Sequence, residues 1–240
     1  MKAFVLAGGK GVRLRPYTTR LPKPLVPIGG EYAMLEITLT QLARSGVDEV
    51  FLSIGHLGHV IRSCIGDGSR WNLRVTYIEE DSPLGTLGPL LPALDRLPEQ
   101  FLFMNGDLLT DLDHRALFEG HVASGAELSL AAAAREVRVE FGVLEVDGDR
   151  VKDFVEKPVV RNEVSMGAYA VSASALRDYT PGQQLGVDRL ILDLLAAGRT
   201  VRAHHHRGLW IDVGRPEDYD RANSEFDLMR AELLGEAAHS

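Results

Sequence analysis

The sequence predicts a doubly wound α/β domain on a mostly parallel sheet, joined to a small antiparallel subdomain, and three observations lead there. Short apolar runs alternate with amphipathic stretches through the first half of the chain, the rhythm of strands joined by covering helices. Turns bearing glycine and carboxylate follow several of those runs directly, where open α/β sheets bind their ligands. Past Gly125 the alternation gives way to strand-like runs around Asp147-Gly148, a hairpin turn signal.

Taken in order, Lys2–Leu6 reads as a strand, residues 34–45 as a helix, Glu49–Ile54 as a strand, 59–65 as a helix and 75–78 as a strand. Residues 87–94 then read as a helix, 101–104 as a buried strand and His114–Ser124 as a helix. Four strand-like runs follow at 128–135, 142–146, 150–156 and 165–171. Helical character returns at 185–197 and stops at Gly198; a strand is expected at 201–205. A terminal helix begins near Pro216, because proline suits the first helical turn. The expectation is one domain over residues 1–240, in parts of about 1–125, 126–215 and a C-terminal helix over 216–240.

The 240 residues, 45% of them hydrophobic, suffice for one sizeable core. Lysine and arginine number 26 against 34 aspartates and glutamates, a net charge of −8 without a basic block, so neither nucleic acid nor an anionic membrane is an expected partner. The opening apolar stretch is too short for a secretory segment, and a cytoplasmic protein is expected. The single cysteine, Cys64, excludes an internal disulfide and reads as a small buried hydrophobe.

The first strand runs into Ala7-Gly8-Gly9-Lys10-Gly11-Val12-Arg13-Leu14-Arg15-Pro16. Residues without side chains let backbone N–H groups approach a phosphate, and Arg13 adds a charged fork. Two better-known phosphate motifs fail here. Leu14 stands where a dinucleotide fingerprint needs glycine or alanine, and Gly9-Lys10-Gly11 lacks the Lys-Ser/Thr pair of a P-loop. Downstream, Pro22, Pro24 and Pro27 stiffen the backbone around Lys23, and a positioned ammonium stabilises developing phosphate charge better than a mobile one.

Asn105-Gly106-Asp107 follows the buried strand and places a carboxylate at the binding edge, although the tripeptide is also a common turn. Glu156-Lys157-Pro158 ends another strand; it reads either as a surface ion pair or as a grip on a phosphorylated ligand. In residues 79–88, small side chains permit close approach to a flat ring, and an acidic surface loop is the plainer alternative. His204-His205-His206 alternates faces along a strand, so a histidine-bound metal lacks converging ligands. Asp111 and Asp113 read as turn or cap residues.

Two segments are specific together: Gly8-Gly9-x-Gly11-x-Arg13-Leu14-Arg15-Pro16-x-Thr18, and Pro22-Lys23-Pro24-Leu25-x-Pro27-Ile28. They resemble the signature of the sugar-1-phosphate nucleotidylyltransferases (NDP-sugar pyrophosphorylases), and the resemblance covers nearly the whole chain. It implies the Rossmann-like, nucleotide-diphospho-sugar transferase version of the fold, with the antiparallel part binding sugar. The implied reaction joins an NTP and a sugar 1-phosphate into an NDP-sugar and pyrophosphate. Arg13, Lys23 and Asp107 are then catalytic, and Asp107 and Asp212 hold Mg²⁺. Leu6, Ala7, Gly8, Gly9, Gly11, Arg13, Glu79, Gly85 and Thr86 bind nucleotide; Gly142, Glu156 and Lys157 bind the sugar phosphate. The compact form looks nearest to mannose- or heptose-1-phosphate guanylyltransferases, with thymidylyl- or uridylyltransferases on glucose-type or N-acetylated sugars as alternatives. A homodimer or homotetramer is the assembly the resemblance suggests. A non-catalytic nucleotide-sugar sensor would keep the fold and lose Lys23 or a carboxylate; all are present.

Overall fold

The computed structural model describes residues 1–80 and 82–235. Its first half runs β1 (Lys2–Leu6), β2 (Pro27–Ile28), β3 (Tyr32–Ala33), α1 (Met34–Arg44), β4 (Glu49–Ile54), α2 (Gly58–Ile65), β5 (Arg74–Glu79), β6 (Gln100–Asn105), β7 (Leu108–Thr110) and α3 (His114–Ser124). The second half runs β8 (Leu128–Arg138), β9 (Val143–Asp147), β10 (Arg150–Val155), β11 (Val159–Ser172), α4 (Val187–Ala196), β12 (Val201–His206), β13 (Trp210–Asp212), α5 (Pro216–Ser224) and α6 (Phe226–Leu234).

Seven strands form one sheet in the order β12-β8-β11-β6-β1-β4-β5. Only β11 runs against its neighbours; the other six are parallel, as the alternation of apolar runs and helices requires. Successive side chains of β1 and β6 feed opposite cores. Ala3, Val5, Leu102 and Met104 pack with Leu35, Leu39 and Leu42 of α1, while Phe4, Phe101 and Phe103 pack with Leu90, Leu190 and Leu194. A third core gathers Leu14, Val26, Ile28, Leu109, Ile211, Val213, Phe226 and Met229, tying the two terminal helices to the segments around the first loop.

Several boundaries depart from the sequence-based expectation for local physical reasons. The helix expected at 87–94 is a 3-10 helix over Gly88–Arg96, because Pro92 inside it removes an N–H donor an α-helix would use. The helix expected from 185 begins at Val187: the Leu185 carbonyl instead accepts the N–H groups of Leu87 and Gly88 at 2.9 and 3.3 Å. The single terminal helix expected over 216–240 breaks at Glu225 into α5 and α6, which brings Phe226 against Gly29; residues 236–240 lie outside the described residues. β11 starts at Val159 rather than 165, pairing with β8 along an exposed two-stranded extension.

Candidate active site

Parallel register brings the carboxyl ends of four strands to one edge of the sheet. Leu6 is opposite both Ser53 and Asn105, and Ile54 is opposite Glu79. Beyond that edge opens a cleft of about 770 Å³. Its walls come from the turn after β1 (Leu6, Gly8, Gly9, Lys10), the turn after β4 (Gly55, His56), the stretch after β5 (Glu80, Ser82, Pro83, Gly85, Thr86) and the corner after β6 (Asn105, Asp107).

The first turn needs its glycines for close approach. A Cβ on Gly8 would lie 2.6 Å from Glu80 Oε1 and 3.3 Å from the Gly55 nitrogen. Gly11 has φ 58, in the left-handed region, and a Cβ there would lie 2.9 Å from Lys23 Cβ. Thr18 Oγ1 donates to the Gly11 carbonyl at 2.7 Å, which ties the turn to the segment carrying Lys23. Arg13 sits exposed on a short 3-10 turn anchored by buried Leu14, outside the residues that line the cleft. Ala7 is buried, its N–H donating to the Ser53 carbonyl at 2.8 Å.

Lys23 opens a 3-10 turn directly after Pro22, and its Nζ lies 2.5 Å from Asp107 Oδ2. Asp107 is placed by the corner at Gly106, whose N–H donates to the Leu6 carbonyl at 2.8 Å. A Cβ on Gly106 would lie 2.8 Å from that same oxygen. Asp212 arrives from the far end of the sequence. β13 pairs antiparallel with β7, and Asp212 stands opposite Leu108, the residue after Asp107. The ladder thus sets the backbone at Asp212 against Leu108, one residue from Asp107, and a pair of carboxylates is the donor set a hard divalent cation takes alongside phosphate oxygens.

Of the adjacent acidic residues at the end of β5, Glu80 lines the cleft. Ser53 Oγ donates a very short hydrogen bond to Glu80 Oε1, and partial burial raises the Glu80 pKa against the lowering effect of that bond. Glu79, the residue expected from the sequence, is exposed and pairs with Arg62 at 2.7 Å, away from the cleft lining. The alternation of strand faces explains the exchange: one residue past the end of β5 the side chain turns to the other side. Gly85 has φ 79 with its Cα against the Leu185 carbonyl, and Thr86 Oγ1 accepts the Val187 N–H at 2.9 Å. That bond fixes the loop to the start of α4. Asp81, within the same expected loop, lies outside the described residues.

Gly142, Glu156 and Lys157 gather on the antiparallel extension. A Cβ on Gly142 would meet the Phe154 ring at 2.5 Å and Glu156 Oε2 at 3.2 Å. Lys157 holds φ 45, an unusual backbone for a residue with a side chain, at the turn between β10 and β11. The extension reaches the cleft through β11: its register shifts between Ser165 and Tyr169, where Gly167 has φ 84 and lies against the Asn105 amide.

Elsewhere the polar residues are occupied by the fold. His206 Nε2 lies 2.9 Å from Asp111 Oδ1, and Asp113 caps α3 by accepting the Ala116 N–H at 2.9 Å. No group of three or more histidine, cysteine, aspartate or glutamate side chains converges for a metal among the described residues. Cys64 is exposed rather than buried as expected, because it falls on the outer face of α2. No helix among the described residues is long and apolar enough to cross a membrane.

Sequence reasoning missed Glu80, His56, Lys10 and Asn105 as cleft residues. Lys10 and Asn105 sit inside the segments singled out from sequence, whereas nothing in the pattern marks His56.

The family model described as nucleotidyl transferase matches residues 2–227. A probable mannose-1-phosphate guanylyltransferase 1 of Oryza sativa subsp. japonica is 33% identical over 228 residues, covering 91% of this chain and 63% of the relative. Mannose-1-phosphate guanylyltransferase 1 of Arabidopsis thaliana matches with the same identity and coverage. This chain therefore spans less than two thirds of the length of these relatives. Among solved structures, HddC from Yersinia pseudotuberculosis is 28% identical with a TM-score of 0.73, covering 94% of this chain and 99% of that one. HddC complexed with GMP-PN is 29% identical with a TM-score of 0.71 over the same shares. With the model match running from β1 through the loops that line the cleft to α6, the chain belongs to the nucleotidyl transferase family.

Proposed function

We propose that this chain is an enzyme transferring GMP from GTP to a sugar 1-phosphate, of the mannose or heptose type, giving a GDP-sugar and pyrophosphate. The observation that carries the reading is the Lys23–Asp107 pair, whose Asp107 lines a glycine-walled cleft, with Asp212 opposite Leu108 in the β7–β13 ladder as further support. The names of the relatives and the GMP-PN complex of HddC support the choice of nucleotide and sugar.

The acceptor phosphate has a second pKa of about 6, so at neutral pH its oxygen is mostly ionised and attacks without a general base. What the protein must supply is close approach of two polyanions. Backbone N–H groups of Gly8, Gly9 and Gly11 receive the triphosphate, and Arg13 and Lys23 neutralise it. Asp107 and Asp212 would hold Mg²⁺, which when bound neutralises phosphate oxygens and aligns them. Lys157 grips the acceptor phosphate and Glu156 the sugar hydroxyls, with Gly142 leaving room beside Glu156, so residues 126–215 serve the sugar side.

Glu80 supports guanine in particular. One carboxylate oxygen is held by Ser53, and an ionised carboxylate in the cleft accepts the paired N–H donors on the guanine edge. Adenine presents an acceptor where guanine has its ring N–H. The chain is further read as cytoplasmic, binding neither nucleic acid nor membrane, and as a homodimer or homotetramer.

The test is pyrophosphate release with Mg²⁺ across GTP, ATP, CTP, UTP and dTTP against mannose, heptose, glucose and N-acetylhexosamine 1-phosphates. Release with GTP and mannose or heptose 1-phosphate is expected. Release confined to dTTP or UTP with glucose-type sugars would replace this reading by the thymidylyl or uridylyl one, and silence throughout would favour a sensor.

A further inference from the structure

A nucleobase held in water needs both an edge partner and a face to lie on, because a hydrogen-bonded edge alone leaves both faces of the ring wet. In this cleft Glu80 offers the edge partner, and the lining contains one aromatic side chain, His56. No phenylalanine, tyrosine or tryptophan joins it among the described lining residues.

The backbone presents that ring deliberately. His56 sits in the turn closed by the Gly58 N–H donating to the Gly55 carbonyl at 2.9 Å, and Leu57 holds φ 57 to start α2. Gly55 is pressed on the first loop, since a Cβ there would lie 3.1 Å from the Gly8 carbonyl oxygen. The backbone next to His56 is thereby held between the glycine loop and Glu80, since a Cβ on Gly55 would also lie 3.7 Å from Glu80 Cβ. The imidazole is exposed, and among the described residues it makes no hydrogen bond or ion pair that would explain its position.

We propose that His56 is the stacking platform of the nucleobase, a positioning residue that lays the base flat so that Glu80 meets its edge. This inference rests on the reading of the cleft as a GTP site. Its chemistry is the π-face of the ring, so phenylalanine should substitute and alanine should not.

The experiment is calorimetric titration of GTP, and separately of inorganic tripolyphosphate, into the wild-type protein, His56→Ala and His56→Phe, all with Mg²⁺. Loss of one stacked base is expected to weaken GTP binding about tenfold in His56→Ala. His56→Phe should stay within about threefold of wild type, and tripolyphosphate should bind all three alike. The proposal is overturned if His56→Ala binds GTP like wild type, if His56→Phe is as weak as His56→Ala, or if tripolyphosphate weakens in parallel with GTP. Absence of GTP binding by the wild-type protein would instead strike down the nucleotide reading of the cleft, on which this proposal depends.

Discussion

Lys23 Nζ lies 2.5 Å from Asp107 Oδ2, and both side chains are largely shielded from solvent. The pair joins a cation set by a proline-stiffened turn to a carboxylate set by the corner after β6. Each of the two charges serves the other; on the proposed function, the ammonium would gain phosphate oxygens as partners when the nucleotide binds.

Lys23→Ala is therefore predicted to lower kcat by about 100- to 1,000-fold, the usual cost of a preorganised charge lost from a transition state. Steady-state kinetics with GTP and mannose 1-phosphate checks this. An unchanged kcat would remove Lys23 from the catalytic role.

Glu80 is predicted to set base selection. Glu80→Gln replaces one acceptor oxygen by an amide donor, so the preference for GTP over ATP in kcat/KM should fall about tenfold to a hundredfold. A pH effect accompanies it. The carboxylate must be ionised to accept guanine N–H groups, and burial raises its pKa, so affinity for GTP is present above that raised pKa and is lost as pH falls through it. The loss should begin at higher pH than for an ordinary carboxylate and be absent in Glu80→Gln. Binding of GTP measured from pH 8 to pH 4.5 distinguishes the wild-type protein from Glu80→Gln.

Lys157 is exposed on the turn between β10 and β11, and the proposed function assigns it to the acceptor rather than the nucleotide. Lys157→Ala is predicted to raise KM for the sugar phosphate about tenfold and to leave kcat within about threefold, because a charge-assisted contact made equally in ground and transition states is lost. An unaltered sugar-phosphate KM would refute the assignment.

Much of the frame could be read from the chain, and the reasons are physical. β4 is buried along its whole length, and β1 and β6 through their central residues, so continuous apolar runs announced them. β7 and β13 are three residues each and carry no pattern of their own. The nearness of Asp212 to Leu108, beside Asp107 in sequence, is made by that ladder, and only the resemblance paired the two aspartates beforehand. Glu79 and Glu80 differ by which side of the sheet they face, a distinction that depends on where β5 ends to within one residue. The first half of β11 escaped because its apolar and polar residues are all exposed or nearly so, leaving no buried face to reveal a strand.

His114 provides a prediction about stability. It is buried in α3 with both ring nitrogens unpartnered among the described residues, and burial lowers its pKa to about 4. The unfolded chain, with an ordinary value near 6.5, then binds the proton first. Stability is full above pH 6.5 and falls with acidification until about pH 4, by roughly 2 kcal/mol at pH 5 from this residue. Urea unfolding at pH 7 and pH 5 should show this loss, and His114→Phe should show less of it.

The most direct measurement is phosphorus NMR of the protein with GTP, mannose 1-phosphate and Mg²⁺, beside Asp107→Ala. The account predicts GDP-mannose and pyrophosphate appearing in equal amounts with the wild-type protein, and neither with the variant. Formation of GDP and inorganic phosphate, or product undiminished in Asp107→Ala, would contradict it.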